Sequence, residues 1–174
     1  MGYKINDFLI CCPKDDSLRD AKNKDFELYA RIIDIDENEG TITLDKYLKE
    51  GKLHNLYKGH PHVNTFEDVD EYYRPMRYDE LTSFRTNLYM HKDDNELTRQ
   101  TYEAAKVAVV RENINIYKGL MDKRYLSESE HQELCKIRWF LEKDIDTLLS
   151  LFPDGKAEKE QEISETRDEQ DFER

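Results

Sequence analysis

Cysteine, proline and glycine are all scarce in this chain. Its 174 residues include 3 Cys, 4 Pro and 6 Gly. Cys11, Cys12 and Cys135 are odd in number and two are adjacent, which excludes a disulfide framework. They read as reduced, part-buried small hydrophobes and favour a cytoplasmic location. So few glycines leave little room for a phosphate cradle, and no Gly-x-Ser-x-Gly, P-loop or dinucleotide glycine motif occurs. No apolar run approaches the ~20 residues that a transmembrane helix needs, so no membrane partner is expected. Met1–Asp7 has neither the apolar region nor the cleavage site of a signal peptide. Asn6 stands where a myristoylation motif wants Ser or Thr. Basic charge is also short, with 27 Lys and Arg against 39 Asp and Glu and a net charge of −12. An isoelectric point near 4.9 disfavours general nucleic-acid binding through a basic surface.

What remains is a polar, aromatic-bearing chain. Hydrophobic residues make up 37% and charged residues 38%, and mean hydropathy is −0.94. Its length suits one domain or two small units. Pattern divides it into residues 1–63, β-rich; 64–95, an irregular aromatic-rich connector; 96–153, two helices; and 154–174, a polar tail. These carry net charges of −2, −5 (64–153 together) and −5, so the tail holds an outsized share of the acidity.

Strand signals concentrate at the N-terminal end. Phe26–Ile35 is rich in β-branched and aromatic residues and stops at the turn cluster Asp36-Glu37-Asn38-Glu39-Gly40. Thr41–Tyr47 then alternates polar with apolar. Together they predict a β-hairpin in which Gly40 takes positive φ. Shorter runs flank it at Tyr3–Cys11 and Lys52–Tyr57. So many short strands in one small segment predict a closed sheet, since an open one would expose both edges. The order Asn6–Ile10, Tyr29–Ile35, acidic turn, Gly40–Leu44 resembles the SH3-like small barrels of the Tudor and KOW type. That resemblance covers about a third of the chain and implies a small antiparallel β-barrel.

The connector holds His60-Pro61-His62 and then Phe66–Tyr78, whose prolines and aromatics suggest an extended strap. A short helix over Tyr78–Tyr89 would put Leu81, Phe84 and Leu88 on one face. Asp93 with Glu96 fits a capping box, opening a helix to about Gly119. Its stripes, Tyr102-Ala105-Val109-Ile116-Leu120 and Val107-Val110-Ile114-Tyr117-Met121, require more than one neighbour. Ser127 with Glu130 caps the next helix, faced by Leu134, Ile137, Leu141, Leu148 and Phe152, and Pro153 ends it. The short link between them predicts an antiparallel helical hairpin. Leu120–Glu130 also resembles short helical-hairpin modules that serve assembly, although any well-capped hairpin uses such residues. The fold class expected is therefore α+β, a small β-barrel followed by a helical hairpin.

Several residue groups invite a chemical reading. Asp34, Asp36, Asn38 and Asp45 fall at positions one, three, five and twelve of a calcium loop, but Glu39 holds the position that needs glycine. An acidic turn in solvent is the stronger reading. His60 and His62, with His54 and Asp68, Asp70 or Glu71, are weak metal candidates lacking a fixed third ligand. Cys135 lies four residues after His131, within reach on a helix, yet beside an apolar stripe that packs. Ser127 and Ser129 are explained by capping. No convergent catalytic set emerges, so neither an enzyme nor a cofactor is expected.

The tyrosines are the remaining signal. The chain has 11 Tyr, 7 Phe and 1 Trp, and tyrosine suits contact surfaces because a rigid apolar ring carries a polar tip. Tyr72, Tyr73, Met76, Tyr78 and Tyr89 are the candidate partner-binding residues, set against the plainer reading that they glue sheet to helices. The expectation is a non-catalytic protein–protein interaction protein or self-assembling component. Its composition suits a phage or mobile element, as a virion assembly part or an acidic modulator of a host enzyme. The alternative is a nucleic-acid-binding accessory factor using Lys46, Lys49, Lys52 and Lys58, with Arg74, Arg77 and Arg85 nearby.

Overall fold

A computed structural model describes residues 2–12, 28–54 and 62–151. The chain forms two compact units, residues 1–109 and 110–174. Expected strands at Phe26–Glu27 and Asn55–Tyr57, the candidates Lys58 and His60, and the tail 154–174 lie outside the described residues.

The first unit is mixed α and β. Its strands are β1 (Phe8–Cys11), β2 (Tyr29–Asp36), β3 (Thr41–Tyr47), β4 (His62–Thr65) and β5 (Tyr73–Pro75). They form a five-stranded antiparallel sheet in the order β4-β3-β2-β1-β5. The hairpin β2–β3 turns at residues 37–40, where Gly40 has φ +65°. Asp36 Oδ1 accepts from the N–H groups of Asn38 and Glu39 at 2.9 and 3.0 Å, which fixes the turn. A register shift between Ile32 and Asp34 marks a bulge in β2. Lys52–Tyr57 yields, among described residues, only the isolated bridge Tyr47–Leu53.

Two expectations are revised here. Among the described residues β4 and β5 are the sheet's edges and do not pair, so the sheet is open rather than a closed barrel. The connector is not an extended strap either. Helix α1 (Phe66–Tyr72) runs directly from β4 to β5. Its start is a capping box: Thr65 Oγ1 accepts from Asp68 N at 3.1 Å and the Asp68 carboxylate accepts from Thr65 N. A helix this short leaves little periodicity in the sequence, and its dense acids read as a loop. The sheet also reaches past residue 63 by drawing in β5.

Each face of the sheet has its own core. On one, Leu9, Ala30, Ile32, Ile42 and Leu44 meet Val69 of α1, with Tyr3, Phe66 and Tyr73 at the margin. On the other, Phe8, Ile10, Tyr29 and Tyr47 meet helices α2 (Tyr78–His91) and the first part of α3 (Glu96–Met121). Leu81, Phe84 and Leu88 are the buried residues of α2, as their spacing required. Phe84 sits edge-on to Phe8, Tyr29 and Tyr47, with ring centroids 6.3, 4.9 and 5.9 Å away. The turn after β3 presses on α2: Gly51 has φ +85°, and a Cβ there would lie 2.6 Å from the Asn87 carbonyl carbon. Asn87 Nδ2 donates to the Lys49 carbonyl oxygen at 2.9 Å across the same contact.

The cap of α3 is Asn95 rather than Asp93. Asn95 Oδ1 accepts from Thr98 N at 2.9 Å and from Thr98 Oγ1 at 3.0 Å. Asp93 instead lies in the preceding turn, largely exposed and 3.9 Å from Lys92 Nζ.

The second unit contains the rest of α3, a link at 122–127, α4 (Glu128–Lys143) and α5 (Ile145–Leu151). Ser127 and Glu130 form the expected capping box, with Ser127 N donating to the Glu130 carboxylate at 2.8 Å. Lys123 pairs with that carboxylate. The second helix is broken at Asp144, whose backbone (φ −100°, ψ 31°) leaves the helical region. An Asp competes with the helix for its own backbone groups, which favours termini over interiors. Val110, Asn113, Leu120, Ile137 and Thr147 are buried.

Candidate interaction site

The second unit carries exposed rings on both a link and a helix. Met121 is 56%, Tyr125 83%, Trp139 54% and Ile145 48% exposed. Helix α4 presents Trp139 beside Phe140, ring centroids 5.2 Å apart, with Lys143 Nζ 5.4 Å from the indole. In the link, the Arg124 guanidinium lies 5.9 Å from the Tyr125 ring. Each exposed ring thus carries a cation at its face, an arrangement that contributes most once desolvated. Cys135 is also exposed on α4, and the Ser127 and Ser129 hydroxyls face each other at 3.1 Å.

The five tyrosine and methionine candidates of the first unit separate by burial. Tyr72 and Tyr89 are exposed. Tyr73 packs against the core under α1, and Met76 and Tyr78 pack against the core under α2. Tyr89 stands 5.7 Å from Tyr102, with Lys92 and Lys106 over the two rings, and Met90 is exposed beside it.

The basic candidates are dispersed. Lys46 is buried on the α1 face, 5.4 Å from the Tyr73 ring, and desolvation pulls its ammonium pKa down to about 8. Lys49 and Lys52 are exposed. Arg74 and Arg77 converge on Glu80 instead, Arg74 as a two-pronged pair at 2.8 and 2.6 Å. Chiefly through the Arg74 hydrogen bonds, the Glu80 carboxyl is held near a pKa of about 2.

No metal-holding group of three or more His, Cys, Asp or Glu occurs among the described residues. Asp36 is engaged in the turn, while Asp45 is buried at the far end of β3. His62 opens β4.

A polar seam that patterning did not single out joins the sheet to α3 within the first unit. Arg31 of β2 lies directly opposite Asp45 of β3. Arg31 donates from Nε to Asn6 Oδ1 at 2.9 Å and from Nη1 to Thr101 Oγ1 at 3.1 Å. The Tyr47 hydroxyl lies 2.7 Å from Thr101 Oγ1 and donates to the Leu97 carbonyl oxygen at 3.3 Å. Thr98 and Thr101 are fully buried although polar. Their positions, three residues apart and in line with Ala105 and Val109, were the available signal.

No protein-family model, curated protein or solved structure matches this chain. Among the described residues, no helix is long and apolar enough to cross a membrane.

Proposed function

We propose that this is a non-catalytic interaction protein that binds another protein, or further copies of itself, through aromatic surfaces. The observation that carries this reading is the exposure of Met121, Tyr125, Trp139 and Ile145 within one small unit. Tyr, Trp and Arg are the side chains that most often carry the binding energy of protein interfaces. Structural or assembly work, or modulation of an enzyme by an acidic chain, both fit such surfaces in a chain of net charge −12. A phage or mobile-element source belongs to the same reading. So does a helical hairpin formed by α3 and α4, which the short link 122–127 and the Ser127 cap support. The sheet is of the small SH3-like kind in this proposal. Its support is a β1–β4 meander followed by a helical turn that returns β5 to the side of β1.

Light scattering across a concentration series, with affinity capture from the native cell, tests the proposal. The expected result is an oligomer or a retained partner that is lost when Tyr125 and Trp139 are both replaced by Ser. A strict monomer with no retained partner would overturn it. The nucleic-acid alternative has Lys49 and Lys52 exposed but Lys46 buried, and a low-salt gel shift with micromolar protein decides it separately.

A further inference from the structure

The seam between the sheet and α3 holds one carboxyl that its hydrogen bonds leave out. Asp45 is 7% exposed, and its Oδ2 is buried without a hydrogen-bond partner. Arg31, directly across the β2–β3 pair, is the cation acting on it, yet Arg31 directs its hydrogen bonds to Asn6 and Thr101. Thr101 Oγ1 also meets the Tyr47 hydroxyl. One hydroxyl of α3 therefore ties that helix to both β2 and β3.

We propose that Asp45 is a proton-controlled latch on the first half of α3. With its carboxyl protonated, Arg31 stays on Thr101 and clamps the helix to the sheet; once ionised, Asp45 draws Arg31 away and loosens it. The two arrangements are both within reach. Side chains directly opposite on paired strands have Cβ atoms about 4.5–5.5 Å apart, so a change of Arg31 rotamer suffices. An ionised carboxylate offers the guanidinium an opposite charge and two acceptor oxygens, which a neutral hydroxyl does not, so ionised Asp45 outcompetes Thr101. A neutral Asp45 makes no such claim, and its burial then costs far less.

Burial raises the Asp45 pKa and outweighs the opposing pull of Arg31. Among the described residues, Tyr47 on the same strand is the other titratable group recorded as interacting with it, a phenol that burial pushes well above the ordinary range and keeps neutral. Among the described residues, the seam's other recorded groups are the Leu97 carbonyl and Thr101 hydroxyl bonded to Tyr47, the buried Thr98 hydroxyl, and Asn6 bonded to Arg31. None of these titrates. Because the closed state raises the carboxyl pKa, the clamp is complete below the ordinary Asp value of about 3.9. It is lost as pH rises through the higher pKa of the closed state.

Hydrogen exchange on the full chain between pH 4 and 8, corrected for the intrinsic exchange rate, reads the latch directly. Protection of the α3 amides at 96–109 should fall as pH rises, by about tenfold for each pH unit separating the closed- and loosened-state pKa values. Amides paired between β2 and β3 should hold. Asp45→Asn, neutral throughout, should abolish the slope and keep the amides protected. Thr101→Val should leave them poorly protected at every pH. A slope in Asp45→Asn equal to that of the wild type would overturn the proposal. The wild-type chain supplies a second reading that no folding failure can remove: the Asp45 carboxyl carbon resonance should titrate above the ordinary value. A midpoint at or below about 3.9 would overturn the latch on its own.

Discussion

The two units solve the same problem with different means. In the first, most rings are buried or half-buried, Tyr72 and Tyr89 excepted, and Phe84 of α2 is fully buried among Phe8, Tyr29 and Tyr47. In the second, the large rings Tyr125 and Trp139 lie at the surface, and the buried positions include Asn113 and Thr147. A two-faced sheet offers an apolar platform on each side, so a helix laid across it can bury a whole ring. A helix presents only a stripe, and residues outside the stripe stay wet. The first unit thus keeps most of its rings for internal cohesion, while the second leaves Tyr125 and Trp139 outward.

Phe84→Ala gives the sharpest test of the first half of that contrast. Emptying a fully buried ring site removes its transfer free energy and leaves a cavity, so the cost should be about 3–5 kcal/mol in urea unfolding. Such a loss is a large share of a domain's stability. A cost below about 1 kcal/mol would mean that the sheet and α2 are not one cooperative core. Gly51→Ala should come next, at about 1–3 kcal/mol or more. The new Cβ would meet the α2 backbone at Asn87 and Leu88, at 2.6–2.8 Å, in a φ that disfavours any side chain. Gly40→Ala provides the internal control. Its φ is +65°, but the nearest neighbour would be Phe66 at 3.8 Å, so backbone strain of about 1–2 kcal/mol is all that it should cost. Equal costs at the two glycines would show that the close approach to α2 contributes nothing.

Periodicity made the helices and hairpin legible. Leu81, Phe84 and Leu88 announce α2 by their spacing, and alternation in Thr41–Tyr47 announces β3. Topology was harder to read because β5 is only Tyr73–Pro75, too short for a pattern, and its place beside β1 depends on α1 returning the chain. Lys46 shows the same limit at a single residue. Sequence assigns a lysine to the surface, but here it follows the pleat onto the buried face in the row of Leu9 and Ala30. The polar seam escaped for a related reason. Arg31, Asp45 and Tyr47 are brought together by strand register, and Thr101 by docking of α3, neither of which a local window contains.

Trp139→Ala carries the contrast to the second unit, where the expected effect on stability is the smallest. The indole is 54% exposed, with the Phe140 ring edge-on to it and Lys143 Nζ over its face. Surface substitutions away from caps and cores usually fall within about 0.5 kcal/mol, and this one should do so in urea unfolding. A binding role makes a different demand on the same residue. Truncating an aromatic anchor at the centre of an interface costs about 2 kcal/mol or more, roughly thirtyfold in affinity. An unfolding midpoint shifted as far as that of Phe84→Ala would make Trp139 a core residue and erase the difference between the units. An unchanged midpoint with weakened assembly or partner retention would show that this ring is kept for contact rather than for folding.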